Sequence, residues 1–325
     1  MTENAGERLA WLADGYLATQ LLYVATELGV ADALADKPLN TAELAAAVDA
    51  DAVVLRRILR GLAAERVLEE SPDGRFALTP TGELLRADAQ GSLRGYVLAR
   101  GRLYYEALGG LLRSAKTGGV PFEHVHGSAF FDYLAARPEE MASFQGSMSA
   151  RLSREARAVV AAYDFTRFRS LVDVGGGRGT LLEAILASAP GLEGTLFDQP
   201  EVVKDSKLPS HAGDFFVSVP AGADVYLLSR VLHDWDDDRA VAILRTCRAA
   251  MPDSGTLLIV ESVLPELAAE QPGAIRMDLH MLLLLHGRER TEAEYAELLA
   301  RAGLRLTATI PADSVTGLHL LEARA

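Results

Sequence analysis

The chain has 325 residues, enough for a catalytic domain plus a smaller one, and its 49% hydrophobic content and mean hydropathy of +0.11 describe a well-buried globular protein. A formal net charge of −13 disfavours nucleic acid, whose binding rests on neutralised phosphates, and also an anionic membrane surface. The longest apolar run, Met281 to Leu285, is too short to span a bilayer; polar Met1 to Gly6, followed by Arg8 and Asp14, gives no signal peptide, so a cytoplasmic protein is expected.

Residues 8 to 35 carry Leu9, Leu12, Tyr16, Leu17, Leu21, Val24, Ala25 and Leu28 at helical spacing, with Gly29 as the stop. Thr41 opens a second helix and Asp51 a third that runs to Ala64; Val67 to Leu78 reads as a hairpin turned at Pro72-Asp73-Gly74. Three helices and a wing suggest a DNA-binding regulator, with Arg56, Arg57, Arg60 and Arg66 on or beside the third helix. Over residues 1 to 100, however, acids outnumber bases fifteen to ten, and Glu65, Glu69, Glu70 and Asp73 sit where a wing would meet phosphates. A dimerisation module fits better, because the apolar stripe needs a cover and a two-fold pairing provides one.

Residues 92 to 162 look helical throughout. Phe130, Phe131, Phe144 and Met148 place aromatic and thioether groups at helical spacing, either as core or as the roof of a flat apolar pocket. From Ser170 the pattern changes to α/β. Strands at about 171–174, 194–197, 224–228, 256–261, 304–309 and 318–323 alternate with helices at about 179–188, 237–251 and 291–301. The last two strands are joined by a Pro-containing loop and read as an antiparallel pair. Domains are expected at 1–90, 91–162 and 163–325, and Cys247, the one cysteine, forbids an intrachain disulfide and is expected in the core.

The stretch Asp173-Val-Gly175-Gly-Gly177-Arg-Gly179-Thr180 follows the first of these strands and opens a helix. It is G-x-G-x-G, not the dinucleotide fingerprint G-x-G-x-x-G, since Thr180 stands at the last position; no Gly-Lys-Ser/Thr follows, which excludes a P-loop. Asp198, at the tip of the next strand, is placed to accept hydrogen bonds from a ribose diol. The seven histidines show no metal spacing, and no metal is expected.

Together with FDQP, GDFF at 213–216, LSRVLHDWDD at 228–237, LLIVES at 257–262 and GRERTEAEY at 287–295, this loop resembles the S-adenosylmethionine-dependent O-methyltransferases, most closely the bacterial natural-product (anthracycline-type) and plant caffeate-like group. The resemblance implies a Rossmann-like class I methyltransferase sheet with an antiparallel C-terminal hairpin, preceded by a winged-helix-like domain that forms an intertwined homodimer. It implies S-adenosyl-L-methionine as cofactor and a small aromatic hydroxyl compound as acceptor. It carries His233 over as general base, supported by Glu261 and Glu292, although Thr291-Glu292 also reads as a helix N-terminus. Asp173, Gly175, Gly177, Asp198, Asp214, Phe215, Ser229 and Trp235 fall on the cofactor, and Phe144, Met148, Met277, Met281 and Leu282, with Leu279, on the acceptor. Some relatives hydroxylate or decarboxylate instead, but the histidine and acid pair suit simple methyl transfer. One departure stands out: residues 199–212 leave little room for the crossover helix and third strand of the family's sheet.

Overall fold

The computed structural model describes residues 4–325, and at positions 142, 143, 149 and 150 the backbone alone; the polar start read over Met1 to Gly6 thus lies partly outside the described residues. The chain divides into two compact units, Met1–Gly110 with Val125–Ala150, and Leu111–His124 with Arg151–Ala325. These limits differ from the expected breaks after 90 and 162. Helix Pro138–Ala162 contributes to both units, because Val159 near its end, with Tyr163 and Phe165 beyond it, belongs to a core cluster of the second.

In the first unit, helix Gly15–Glu27 stops before Gly29, whose φ of +75° ends the run as foreseen. Helix Thr41–Ala47 starts on a capping box between Asn40 and Glu43, and helix Ala52–Ala64 on Asp51, whose side chain accepts from the Val54 amide at 2.8 Å. A short strand β1 (Leu39–Asn40), absent from the sequence reading, joins the hairpin of β2 (Leu68–Glu70) and β3 (Arg75–Leu78) in the order β1-β3-β2. Leu44, Leu55, Leu59, Leu62 and Phe76 fill the core of this winged-helix arrangement. Outside it, Leu9, Trp11, Leu12, Tyr16 and Leu17 are exposed, Leu9 at 69%.

The second unit is built on one sheet. β4 (Ser170–Val174), β5 (Glu193–Asp198), β6 (Ser210–Ala212), β7 (Val225–Ser229) and β8 (Thr256–Leu264) run parallel, β9 (Arg290–Thr291) pairs with the end of β8, and β10 (Arg305–Asp313) with β11 (Leu318–Arg324) close it antiparallel. The order is β10-β11-β8-β7-β4-β5-β6, the mostly parallel sheet with an antiparallel hairpin that the sequence implied. Both faces are buried: Val172, Val174, Tyr226 and Leu228 pack in one cluster, Leu171, Val225 and Leu227 in the other, as the pleat requires. Cys247 is fully buried, and burial pushes its thiol up to about 12.

The short segment after Asp198 proves sufficient. A single turn, Pro200–Val203, replaces the crossover helix, and β6 pairs parallel with β5 at the open edge of the sheet, exposed throughout. Pro311, expected in the closing loop, lies inside β10 at a register shift, which an edge strand tolerates. Helix Pro272–Leu284 was not among the predicted helices; apolar residues on several of its sides hide the helical period. Because β5 and β7 lie on opposite sides of β4, the chain reverses direction across the sheet there, and the carboxyl ends of β4 and β7 open a crevice.

Candidate active site

Three glycines of the loop after β4 adopt left-handed backbone, Gly175 at φ +72°, Gly177 at +61° and Gly179 at +82°, which accounts for the G-x-G-x-G spacing. Gly176, between them, is required by contact: a Cβ there would sit 2.3 Å from the Asp173 Oδ2. Asp173 is fully enclosed, and its Oδ1 has no hydrogen-bond partner. Burial, with the charge of Asp198 second, pushes its carboxyl up to about 7. Asp198 tightens the loop by accepting from the Gly177 amide at 2.9 Å.

On the β7 side, Phe215 and Phe216 meet Trp235 edge-on at 6.2 and 4.8 Å between centroids, and Val231 packs against Gly175. Asp214 is exposed, its Oδ1 accepting from the Phe216 amide at 2.8 Å. Ser229 is half-buried at the end of β7.

A 3-10 turn, Leu232–Asp234, follows β7 and carries His233, 5% exposed. The turn is held from two sides. Glu261 of β8 accepts the amides of Val231 and Leu232 on Oε1 at 3.0 Å each, and that of His233 at 3.4 Å. Arg290, fully buried, donates to the carbonyls of Leu232 and Trp235 at 3.0 and 2.8 Å, and to Asp237.

The imidazole Nδ1 lies 3.0 Å from Glu289 Oε1 and 3.4 Å from Glu261 Oε2, while Nε2 is 3.5 Å from the Asp234 carboxylate. This corrects the sequence reading, which gave the supporting role to Glu292. Glu292 is exposed on the first turn of helix Glu292–Arg301, whereas Glu289 lies in the run before β9 and is buried at 1% exposure. Burial alone would lower the His233 pKa, but Glu261 and Glu289 outweigh it and raise it to about 9. In return His233 and Arg230 hold Glu289 below its ordinary range against the opposing effect of burial.

The sequence reading also missed Arg230, Glu155 and Gly176. Arg230 has φ +57° and an 8% exposed side chain; it donates to both oxygens of Glu155 at 2.7 and 3.2 Å, and to Ser262 Oγ at 2.9 Å. The signal for it was Arg230 itself, a charge directly after an apolar strand. His233, Glu261 and Glu289 offer ligand atoms within 4.8 Å of one another, a spacing a metal ion can use. Arg230 Nη1, 3.5 Å from Glu289 and 3.9 Å from Glu261, already supplies positive charge there.

Of the residues expected to face the acceptor, Met277 and Met281 lie on the buried face of helix Pro272–Leu284, and Leu279 and Leu282 are 46% and 42% exposed on its other side. Spacing explains the division: i and i+4 share a face, i+5 does not. Phe144 and Met148 belong to the first unit, where Phe144 packs edge-on against Phe130 at 5.1 Å.

Sheet, glycine loop and following acid define a class I S-adenosylmethionine-dependent methyltransferase. Residues 105–305 match the model of the O-methyltransferase domain and residues 11–88 that of the O-methyltransferase dimerisation domain; the chain belongs to this family, and S-adenosyl-L-methionine is its cofactor. It is 44% identical to a phenazine O-methyltransferase of Lysobacter antibioticus over 97% of this chain and 95% of that one, and 39% identical to the O-demethylpuromycin-O-methyltransferase of Streptomyces alboniger over 98% and 89%. Among solved structures it is similar to an O-methyltransferase from neocarzinostatin biosynthesis in complex with S-adenosylmethionine and 2-hydroxy-5-methyl naphthoic acid, with a TM-score of 0.81 and 34% identity over 95% and 96% of the two chains. No described helix is long and apolar enough to cross a membrane.

Proposed function

We propose that the protein methylates an aromatic hydroxyl of a small natural-product-like acceptor, with His233 as general base. The observation that carries this is the buried His233 with Nδ1 held by Glu289 at 3.0 Å, at the carboxyl edge of the sheet that also bears the glycine loop. A phenol has a pKa of about 10 and is neutral at pH 7, so one proton must leave as the methyl group arrives. Glu289 on Nδ1 selects the tautomer in which Nε2 is free to accept that proton, and it stabilises the imidazolium that results. A base with a pKa raised to about 9 is closely matched to the proton it takes. The cofactor, when bound, supplies an electrophilic methyl group on a cationic sulfonium, whose charge favours neutral His233.

For the cofactor, the orphaned Oδ1 of Asp173 beside the glycine loop fits an ammonium group, Asp198 a ribose diol, and Phe215 with Trp235 the faces of an adenine, with Asp214 at their edge. Gly177, with open space where a Cβ would stand, leaves room for close approach, Gly175 lets Val231 pack against the loop, and Ser229 borders the crevice. Met277 and Met281 provide an apolar wall for a flat acceptor. The exposed stripe Leu9 to Leu17 and the dimerisation domain support a homodimer. Incubation with cofactor and a panel of aromatic polyketide and phenylpropanoid phenols, read by mass spectrometry, tests the reaction. Gain of one methyl group on oxygen supports it; gain of oxygen or loss of carbon dioxide overturns it.

A further inference from the structure

We propose that Arg230 is a positioning residue for the acid–base pair: its guanidinium, anchored by Glu155, fixes Glu289 against His233 and sets the pH at which His233 can accept a proton. The inference rests on the reading of His233 as base, and deepens it.

Glu289 Oε1 is shared, 3.0 Å from His233 Nδ1 and 3.5 Å from Arg230 Nη1. The same guanidinium nitrogen donates to Ser262 Oγ, whose hydroxyl in turn donates to the Thr316 carbonyl at 3.0 Å, so its direction is fixed by a chain of donors. Its remaining nitrogens are taken by Glu155, which Arg151 also holds at 2.8 Å. A non-glycine residue in left-handed backbone carries a cost, and here that conformation goes with a guanidinium turned inward. Neutralising Glu155 alone would not require reach to a second carboxylate.

The charges around His233 come from every element packed on it. Glu261 lies on β8 and Asp234 on its own turn; Glu289 precedes β9, with its amide on Asp278 of helix Pro272–Leu284. Arg151 and Glu155 come from helix Pro138–Ala162, and the buried Tyr295 hydroxyl from helix Glu292–Arg301. Arg290 of β9, paired with Asp237, donates to the carbonyls of Leu232 and Trp235 on either side of His233; carboxylates still predominate over the three arginines, so the cluster takes up protons readily and Arg230 opposes that. Removing its charge makes the pair hold protons to higher pH; removing the Glu155 charge leaves Arg230 less compensated and has the opposite sign.

Nuclear magnetic resonance titration of His233 in Arg230→Met and Glu155→Gln measures this without turnover, and pH profiles of kcat follow it. The expected result is a His233 titration displaced upward by about one pH unit in Arg230→Met and downward by about half a unit in Glu155→Gln, with the limb of kcat moving alongside. Shifts of the same sign in both variants, or none, overturn the proposal, since disruption of packing has no reason to change sign. If Arg230→Met does not fold, Glu155→Gln alone decides, and an unmoved titration refutes. If His233 shifts as stated while the kcat limb stays in place, the positioning of the pair stands and the reading of His233 as base fails.

Discussion

Gly287, two residues before Glu289, lies against the turn bearing His233. A Cβ at 287 would sit 1.8 Å from the His233 carbonyl oxygen and 2.8 Å from backbone atoms of Asp234. Real Cβ atoms do not come within 3.0 Å, and neither partner is a flexible side chain, so in Gly287→Ala loop and turn must part by about 1 Å. That displacement falls directly on the 3.0 Å contact between Glu289 and His233, stretching it beyond hydrogen-bonding range. Overpacking of this kind costs about 1–3 kcal/mol of stability, and about 1 Å of misplacement costs turnover about 100-fold. Cofactor affinity should stay within a few fold, because the glycine loop and Asp198 hang on β4 and β5. A thermal melt, calorimetric titration of the cofactor and kcat at saturating cofactor check the three parts. A folded variant with parental kcat would refute the claim that the Glu289–His233 geometry matters.

Glu289→Gln removes one of the two charges that raise the His233 pKa, so the acidic limb of the kcat profile should move to lower pH by about one unit, while the plateau falls roughly 10- to 100-fold for want of a partner for the imidazolium. On the proposed reading of Asp173 as the partner of the cofactor's ammonium group, its carboxyl, pushed up to about 7 by burial, must ionise to hold that cation; cofactor affinity measured by calorimetry should therefore rise with pH through about 7, and Asp173→Asn should abolish that dependence and weaken binding. Light scattering at micromolar concentration should give twice 34.8 kDa, and a monomer mass would remove the homodimer.

Where local chemistry decides, the sequence was readable. Asp51 and Gly29 mark helix ends by capping and backbone freedom, the second helix caps on Asn40 one residue before the Thr41 read as its opening, and the three left-handed glycines had to be glycine. Runs such as Leu257 to Val260 fix strands because both faces of the sheet are buried. What escaped depends on contacts far apart in the chain. Glu289 and Glu292 are indistinguishable in GRERTE until β9 pairs with β8 and turns the first inward. Arg230 gave no clue to its partner, since Glu155 lies 75 residues away. Apolar character alone did not tell that Leu282 lies on a different face of helix Pro272–Leu284 from Met277 and Met281.

The central claim is that His233 removes the acceptor's proton. Turnover of a phenolic acceptor by His233→Ala, measured beside the cofactor affinity of the same variant, tests it most directly. The account predicts a loss of about 100-fold or more in methyl transfer with cofactor affinity within a few fold of the parent. Unchanged turnover with normal cofactor binding would contradict it and leave His233 a structural residue.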